Sequence, residues 1–262
     1  MPLPTLAERF EDAAADLFWV PDDVEVLIGP ELTWCASARP EPLYNAVVRV
    51  RVPEDRAEAL VAEVSARHQG VPSRWTLFSH AANPALEAAL ARAGYAPREV
   101  HDVRVTDVQR APAARGPSSC TVVRATTRAQ LLDAWTVSQR CFGHAVAPPA
   151  ADVLANELAH YTPADARATR FVAYAADGAA IGCGGLTLDR AAGVGFLWAG
   201  GTLEGHRGRG VYTALVDARA AHARQAGLTH VGVFAKLDTS SPILGRIGFE
   251  TLGQMVLWVR TP

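Results

Sequence analysis

A glycine-rich segment between a predicted strand and a predicted helix constrains the fold of this chain most. The apolar run 194–202 precedes the sequence HRGRGVYTALV at 206–216, and an Ala/Leu-rich stretch with helical spacing continues as far as Gln225. The first N–H groups of a helix have no internal acceptor, and the helix dipole places partial positive charge at that end. Gly208 and Gly210 allow close approach of a bulky anion because they carry no Cβ. The segment therefore predicts a strand, a turn and a helix that together bind pyrophosphate.

Two arginines support phosphate binding by this segment, and the absence of other phosphate motifs excludes two common classes of nucleotide-binding protein. Arg207 and Arg209 add positive charge and forked donors suited to phosphate. The pattern GxxxxGK[ST] is absent from the sequence, which argues against a P-loop nucleotidase. The dinucleotide pattern GxGxxG also fails, because Val-Tyr-Thr follows Gly210.

The segment resembles motif A of the GNAT superfamily of acyl-CoA-dependent N-acyltransferases, with the pattern [QR]-x-x-G-x-[GA]. Arg207, Gly210 and Leu215 match, whereas Tyr212 occupies the last small position. In that family the backbone amides of this turn bind the pyrophosphate of coenzyme A. The resemblance implies this role for Arg207, Gly208, Arg209, Gly210, Val211, Tyr212 and Thr213.

The downstream sequence extends the resemblance over about 121–262, and it is sharpest in the last seventy or so residues. An apolar run at 230–235 predicts a strand, and the run 238–249, ending in Gly-Phe, resembles motif B of the same family. A final strand is predicted over 254–260. The resemblance adds Asp238 and Ser241 to the coenzyme A contacts.

The end of the strand before motif A is the third part of the expected site. In the family this strand separates from its neighbour, and its backbone binds the pantetheine arm and the thioester carbonyl. The resemblance implies that role for Trp198, Ala199, Gly200, Gly201 and Thr202. The two adjacent glycines fit a bulged strand, and flexible glycines at a strand end are the alternative.

The catalytic groups are the least defined part of the prediction. The family often places a tyrosine in motif B as the general acid, and the matching residue here is Leu244. Ser241 and Tyr212 are alternative donors, although Ser241 also fits a helix N-cap. The strand 194–202 has no carboxylate, which leaves His206 as a candidate base, besides Glu204, Asp189, His144 and Glu157. A neutral amine that needs no base is another alternative, and Cys141 and Cys183 leave an acyl-cysteine route open.

Composition limits the class of protein. The 262 residues are 49% hydrophobic with a formal net charge of −2, which argues against nucleic acid as a partner. The four cysteines are scattered without metal-ligand spacing, so we expect no metal site, no disulfide scaffold and a cytoplasmic location. The acidic N-terminal region resembles no signal peptide, and no apolar run is long enough to cross a membrane.

The chain divides into two halves with similar patterns of predicted helices and strands. Pro, Gly and Ala predict a linker at 111–119, between a domain over 1–110 and another over 120–262. Helix-like and strand-like patterns recur at an offset of about 155 residues. At the position of motif A the first half has RVPEDRA over 51–57, which contains no glycine and carries two acids. It therefore predicts a degenerate GNAT-like domain that does not bind coenzyme A.

The resulting expectation is an α/β (α+β) fold of two GNAT-like domains, each with a mixed central β-sheet flanked by helices. The C-terminal domain is expected to transfer acetyl or another short acyl group from acetyl-CoA to a small-molecule or peptide amine. A non-catalytic acyl-CoA sensor is the alternative, and a purely structural domain is a third. Membrane partners are not expected, and a homodimer is left open.

Overall fold

The computed structural model describes residues 3–110 and 120–261, so the predicted linker at 111–119 lies outside the described residues. The helices are α1 Leu6–Ala14, α2 Ala57–Arg67, α3 Pro84–Arg92, α4 Arg128–Cys141, α5 Ala151–Tyr161, α6 Val211–Gln225 and α7 Ser240–Arg246. The strands are β1 Glu25–Ile28, β2 Leu32–Ala36, β3 Ala46–Val50, β4 Ser73–Phe78, β5 Ala96–Asp107, β6 Cys120–Arg124, β7 Ala168–Ala175, β8 Ala180–Asp189, β9 Val194–Thr202, β10 His230–Lys236 and β11 Glu250–Arg260. Short 3-10 helices cover Pro42–Tyr44, Glu54–Arg56, Ser79–Ala81 and Glu204–His206.

The residues cluster into two compact units. The first comprises Met1–Val103, Ala235–Ser241 and Thr251–Pro262, and the second comprises Arg104–Phe234 and Pro242–Glu250. In the first unit the strands are ordered β1-β2-β3-β4-β11-β5. The β3–β4 pair is parallel, whereas β1–β2, β2–β3 and β4–β11 are antiparallel, so this sheet is mixed.

The last strand of the chain, β11, belongs by its contacts to the first unit. Its register with β4 runs from Met255 opposite Phe78 to Arg260 opposite Ser73. This pairing sets Trp258 opposite the fully buried Trp75, in a core that α2 and α3 cover. Sequence order alone places this strand with the second half, whereas the tertiary structure pairs it with a strand of the first half.

A buried histidine lies in the same core. His68 is inaccessible to solvent, and its Nε2–H donates to the carbonyl oxygen of Cys35 at 2.9 Å. Its ring meets Trp34 edge-on, with 5.8 Å between the ring centroids. Burial lowers the pKa of His68, because an imidazolium there would lose its hydration.

We expect the free energy of unfolding to decrease as the pH falls below about 6.5, the ordinary pKa of histidine. In that range the unfolded chain binds a proton at His68, while the folded protein keeps the ring neutral until a lower pH. One such group contributes at most about 1.4 kcal/mol per pH unit. Urea unfolding at pH 5, 6 and 7 measures the slope, which should flatten in His68→Gln, an amide that can still donate to the carbonyl. An identical slope in that variant would contradict the assignment.

The second unit has the strand order β10-β9-β8-β7-β6. The pairs from β6 to β9 are antiparallel and β9–β10 is parallel, so this sheet is also mixed. Helix α6 packs on the face towards which Gly182 and Gly184 point, whereas Cys141 of α4 lies against Gly201 on the other face. Strand β8 is buried along almost its whole length because both of its faces are covered.

Local sequence explains where the elements of the second unit begin and turn. Thr127 caps α4, and Gln130 reciprocates by accepting from the Thr127 amide, so the two side chains form a capping box. The Asp177-Gly178 pair lies in the turn between β7 and β8, where such a dipeptide favours a tight hairpin. The predicted strand 194–202 and the predicted helix ending at Gln225 are confirmed as β9 and α6.

Candidate functional site

The turn between β9 and α6 contains two glycines in the left-handed backbone conformation. After the 3-10 helix, Gly208 and Gly210 have φ values of +73° and +78°, which are unfavourable for residues with a Cβ. Gly210 is the N-cap of α6, and no side chain among the described residues caps this helix. Residues 207–210 are exposed. The N-terminus of α6 is therefore open to an anion.

Positive charge accompanies this turn. Arg207 and Arg209 are both exposed, and the Arg207 Nε donates to the carbonyl oxygen of Thr202 at 3.3 Å. This contact holds the Arg207 guanidinium at the end of β9, beside the helix N-terminus. The arrangement combines a helix dipole with two fixed positive charges, which favours a polyanionic group.

A β-bulge interrupts β9 just before the turn. Cys183 is opposite Gly201 and Gly185 is opposite Trp198, so that Ala199 and Gly200 together face one residue of β8. Ala199 has φ +46° and is the one non-glycine residue with positive φ among the described residues. The adjacent glycines predicted such a bulge, and the register confirms it.

Strands β9 and β10 are paired at one end only. Their parallel ladder joins Val194 to His230, Gly195 to Val231 and Phe196 to Gly232, and it stops there. From Leu197 onward the backbone of β9 has no ladder partner in β10. The bulged segment can therefore offer backbone hydrogen bonds to a ligand.

Tyr212, which departs from the motif A pattern, lies over the bulge. A Cβ added to Gly200 would be 3.1 Å from Cε2 of the Tyr212 ring. The glycine thus leaves space for the large side chain that replaces a small residue of the motif. This contact brings the predicted donor Tyr212 next to the strand segment predicted to bind the thioester.

An aromatic and charged cluster covers the other face of the sheet. The Trp198 indole lies against Gly185, and its Nε1 donates to the Thr187 hydroxyl at 3.0 Å. The Arg170 guanidinium stacks over Trp198, with Cζ 5.0 Å from the ring centroid, and its Nη2 donates to Glu157 Oε1 at 2.8 Å. Glu157 is thus held in a mostly buried ion pair. Sequence reasoning missed this cluster, although the Gly-Cys-Gly-Gly run at 182–185 hinted at close packing.

The thiols near the bulge are poorly ionised. Burial raises the pKa of Cys183 to about 11, and it also raises the pKa of Cys141, whose sulfur lies against Gly201. Since the thiolate is the nucleophilic form, neither cysteine has the environment of an activated nucleophile.

The positions of Ser241, Asp238, His206 and Leu244 complete the description of the site. The buried Ser241 hydroxyl donates to the Asp102 carboxylate, within the first unit. Asp238 is exposed in the turn between β10 and α7. His206 ends the 3-10 helix that precedes Arg207, in the second unit. Leu244, at the position of the family's tyrosine, is fully buried.

Comparison with known families finds one match. Residues 131–246 match the acetyltransferase (GNAT) family. The matched segment is therefore similar to that family. It contains the bulged strand, the turn and helix α6. No curated protein sequence matches the chain.

Solved structures share the fold of this chain over almost its whole length. A GCN5-related N-acetyltransferase from Kribbella flavida has a TM-score of 0.68 at 17% identity, over 95% of this chain and 94% of that one. Another from Sphaerobacter thermophilus has a TM-score of 0.66 at 16% identity, over 98% and 94%. A tandem GNAT protein from the clavulanic acid biosynthesis pathway has a TM-score of 0.61 at 16% identity, also over 98% and 94%. The predicted mixed α/β fold class is confirmed.

Two further observations concern the described residues, 3–110 and 120–261. No helix among them is long and apolar enough to span a membrane. No group of three or more His, Cys, Asp or Glu side chains within them is arranged to hold a metal ion.

Proposed function

We propose that this protein is an N-acyltransferase that moves an acetyl or another short acyl group from coenzyme A directly to an amine. The succession of a bulged strand, a turn with two left-handed glycines and an uncapped helix carries the proposal. The bulged strand offers backbone groups to a thioester. The turn and the uncapped helix offer an open helix N-terminus to a pyrophosphate. The match of residues 131–246 to the acetyltransferase (GNAT) family supports the same activity.

The binding roles follow the order of the chain. We assign the pyrophosphate to the turn from Arg207 to Thr213, and the pantetheine arm and thioester to the segment from Trp198 to Thr202. Alignment of the amine with the thioester then contributes much of the rate enhancement, since a bound pair reacts as a single unit. The acceptor is a small-molecule or peptide amine, and Asp238 remains a proposed contact of the cofactor.

The proposed chemistry needs one proton donor for the leaving group. The amine nitrogen forms the new C–N bond as the C–S bond breaks, and the thiolate takes a proton from the Tyr212 hydroxyl, which solvent then restores. We favour Tyr212 over Ser241 because Ser241 already donates to Asp102, whereas the Tyr212 ring lies over the bulge at Gly200. An ammonium substrate first loses one proton through His206 or water, or the amine arrives neutral. After the C–N bond forms, nitrogen releases a second proton to His206 or water, which balances the proton that Tyr212 gives to the thiolate.

Direct transfer of the acyl group to the amine agrees with the raised pKa values of the two nearby thiols. An acyl-cysteine route would need a thiolate at Cys141 or Cys183, and burial raises the pKa of both. We therefore propose that no acyl group is attached to the protein during turnover.

We propose that the first half of the sequence is a degenerate GNAT-like domain over 1–110, followed by an active domain over 120–262 whose last strand, β11, belongs by its contacts to the first unit. After β6, α4 and α5, the second half runs through three strands, a 3-10 helix, a helix, a strand, a helix and a final strand. After α1, the first half has the same order with two further 3-10 helices, Pro42–Tyr44 and Ser79–Ala81. At the turn of the first half, Pro53 is the N-cap of a 3-10 helix that begins with Glu54 and Asp55. A proline there lacks an amide donor and two acids repel phosphate, so this turn is unsuited to coenzyme A.

The test combines binding with turnover. A saturating excess of acetyl-CoA, about a hundredfold over Kd, is expected to stabilise the protein by about 2.7 kcal/mol, seen as a raised Tm. A panel of amines, read by release of free thiol, should then reveal the acceptor class. Binding without thiol release for any amine would favour the sensor alternative. Absence of any thermal shift would contradict coenzyme A binding and support a structural role.

A further inference from the structure

Arg219 on α6 is a buried cation without an acidic partner. The residue is 1% exposed, and no carboxylate among the described residues pairs with it. Its donors reach three backbone carbonyl oxygens, with Nε 2.9 Å from Leu215, and Nη1 3.2 Å from Gly185 and 3.5 Å from Trp198. Burying an unpaired charge costs free energy, so the hydrogen bonds of the guanidinium must offset that desolvation cost.

Two glycines form the space that the guanidinium occupies. A Cβ on Gly184 would lie 2.7 Å from Nη1 of Arg219, and a Cβ on Gly200 would lie 3.3 Å from Nη2. Gly184 is the residue of β8 that faces the bulge, and Gly200 is part of the bulge. The Arg219 side chain therefore packs directly against the bulge.

The hydrogen bonds of Arg219 compensate for the interrupted ladder. A bulge leaves backbone groups without regular partners, and buried carbonyls need donors. Arg219 donates to the carbonyl of Trp198, which immediately precedes the bulge, and to that of Gly185, its partner across the ladder. The same side chain joins the bulge to α6, the helix whose N-terminus begins at the glycine turn.

We propose that Arg219 is a positioning residue for acyl transfer. It holds the backbone of Trp198–Gly200 in the bulged conformation that accepts the acyl end of acyl-CoA, at a fixed distance from the pyrophosphate turn. This inference rests on the proposed function. It assigns to Arg219 the discrimination between acylated and free coenzyme A, and not the binding of the nucleotide end.

Binding measurements test the proposal without knowledge of the acceptor. Calorimetric titration with acetyl-CoA and with free coenzyme A should be made on the wild type, Arg219→Met, Arg219→Lys and the control Arg224→Met, an exposed arginine of the same helix. In Arg219→Met we expect the affinity for acetyl-CoA to fall about tenfold or more, while the affinity for coenzyme A changes less than about threefold. The reason is that a small displacement of the bulged backbone misaligns the groups that accept the acyl end. Arg219→Lys should recover part of the loss, and Arg224→Met should match the wild type.

Other outcomes separate the two proposals. Equal losses for acetyl-CoA and coenzyme A, or no loss for either, would overturn the role of Arg219. Failure of the wild type to bind either ligand would overturn the proposed function itself. If Arg219→Met does not fold, Gly184→Ala provides the same test, because the added Cβ displaces the guanidinium while the charge remains. An unchanged ratio of the two affinities in that variant would also count against the proposal.

Discussion

Replacement of Gly210 by glutamate is expected to abolish acetyl-CoA binding and leave the protein folded. Gly210 has φ +78°, and a residue with a Cβ in this left-handed region costs about 1–2 kcal/mol. A new carboxylate at the N-terminus of α6 would also repel the pyrophosphate that we place there. The space around Gly210 is open, with no atom within 4 Å of an added Cβ, so the fold should persist. Calorimetric titration with acetyl-CoA and a thermal melt measure the two effects.

Two matched variants test whether an added carboxylate or backbone strain elsewhere in the protein would by itself lower the affinity for acetyl-CoA. Gly205→Glu adds the same carboxylate five residues earlier, where the space is open and φ is not positive. Gly178→Glu imposes similar backbone strain, at φ +85°, in the hairpin between β7 and β8. Both controls should retain most of the affinity for acetyl-CoA. Wild-type affinity in Gly210→Glu would refute the assignment of the turn.

Gly185→Ala is expected to be the most destabilising small substitution in the second unit. An added Cβ would overlap the Trp198 ring, which lies directly on the glycine and is held by Thr187 and Arg170. Overpacking of a tight site costs about 1–3 kcal/mol, which corresponds to a Tm lowered by about 2–4 °C for each kcal/mol. Urea unfolding measures the loss of free energy.

A double-mutant cycle identifies the cause of this loss. In a Trp198→Ala background the ring is gone, so Gly185→Ala should cost little there. Gly205→Ala, in open space, serves as the control and should be nearly neutral. An equal cost of Gly185→Ala in both backgrounds would mean that the indole does not require the glycine.

The sequence predicted the elements around the candidate site because their determinants are local. The glycines predicted a turn between a strand and a helix, and Gly208 and Gly210 lie in that turn. Apolar runs and helical spacing predicted β9 over 194–202 and the end of α6 at Gln225, and both are confirmed. The adjacent glycines at 200–201 predicted a bulge because a strand that carries no side chains there can deviate from the ladder.

Other parts of the site depend on contacts that are distant in sequence. Arg219 lies in an Ala/Arg-rich helix, where a charged residue is ordinarily exposed, yet it donates to Gly185, 34 residues away. Ser241 fits a helix cap by sequence, whereas its hydroxyl donates to Asp102, 139 residues away. The Trp198 indole packs on Gly185 of the neighbouring strand β8. No local pattern encodes these partners.

The sequence by itself determined the strand, the glycine turn and the helix around the site and the resemblance to GNAT acyltransferases, because backbone preferences and periodicity act over a few residues. Only the tertiary structure decided that β11 pairs with β4, that Tyr212 lies over the bulge and that a buried guanidinium supports it. These features follow from which surfaces meet when the sheet and helices pack. Burial then selects the partners, since every buried charge and carbonyl must find a hydrogen bond.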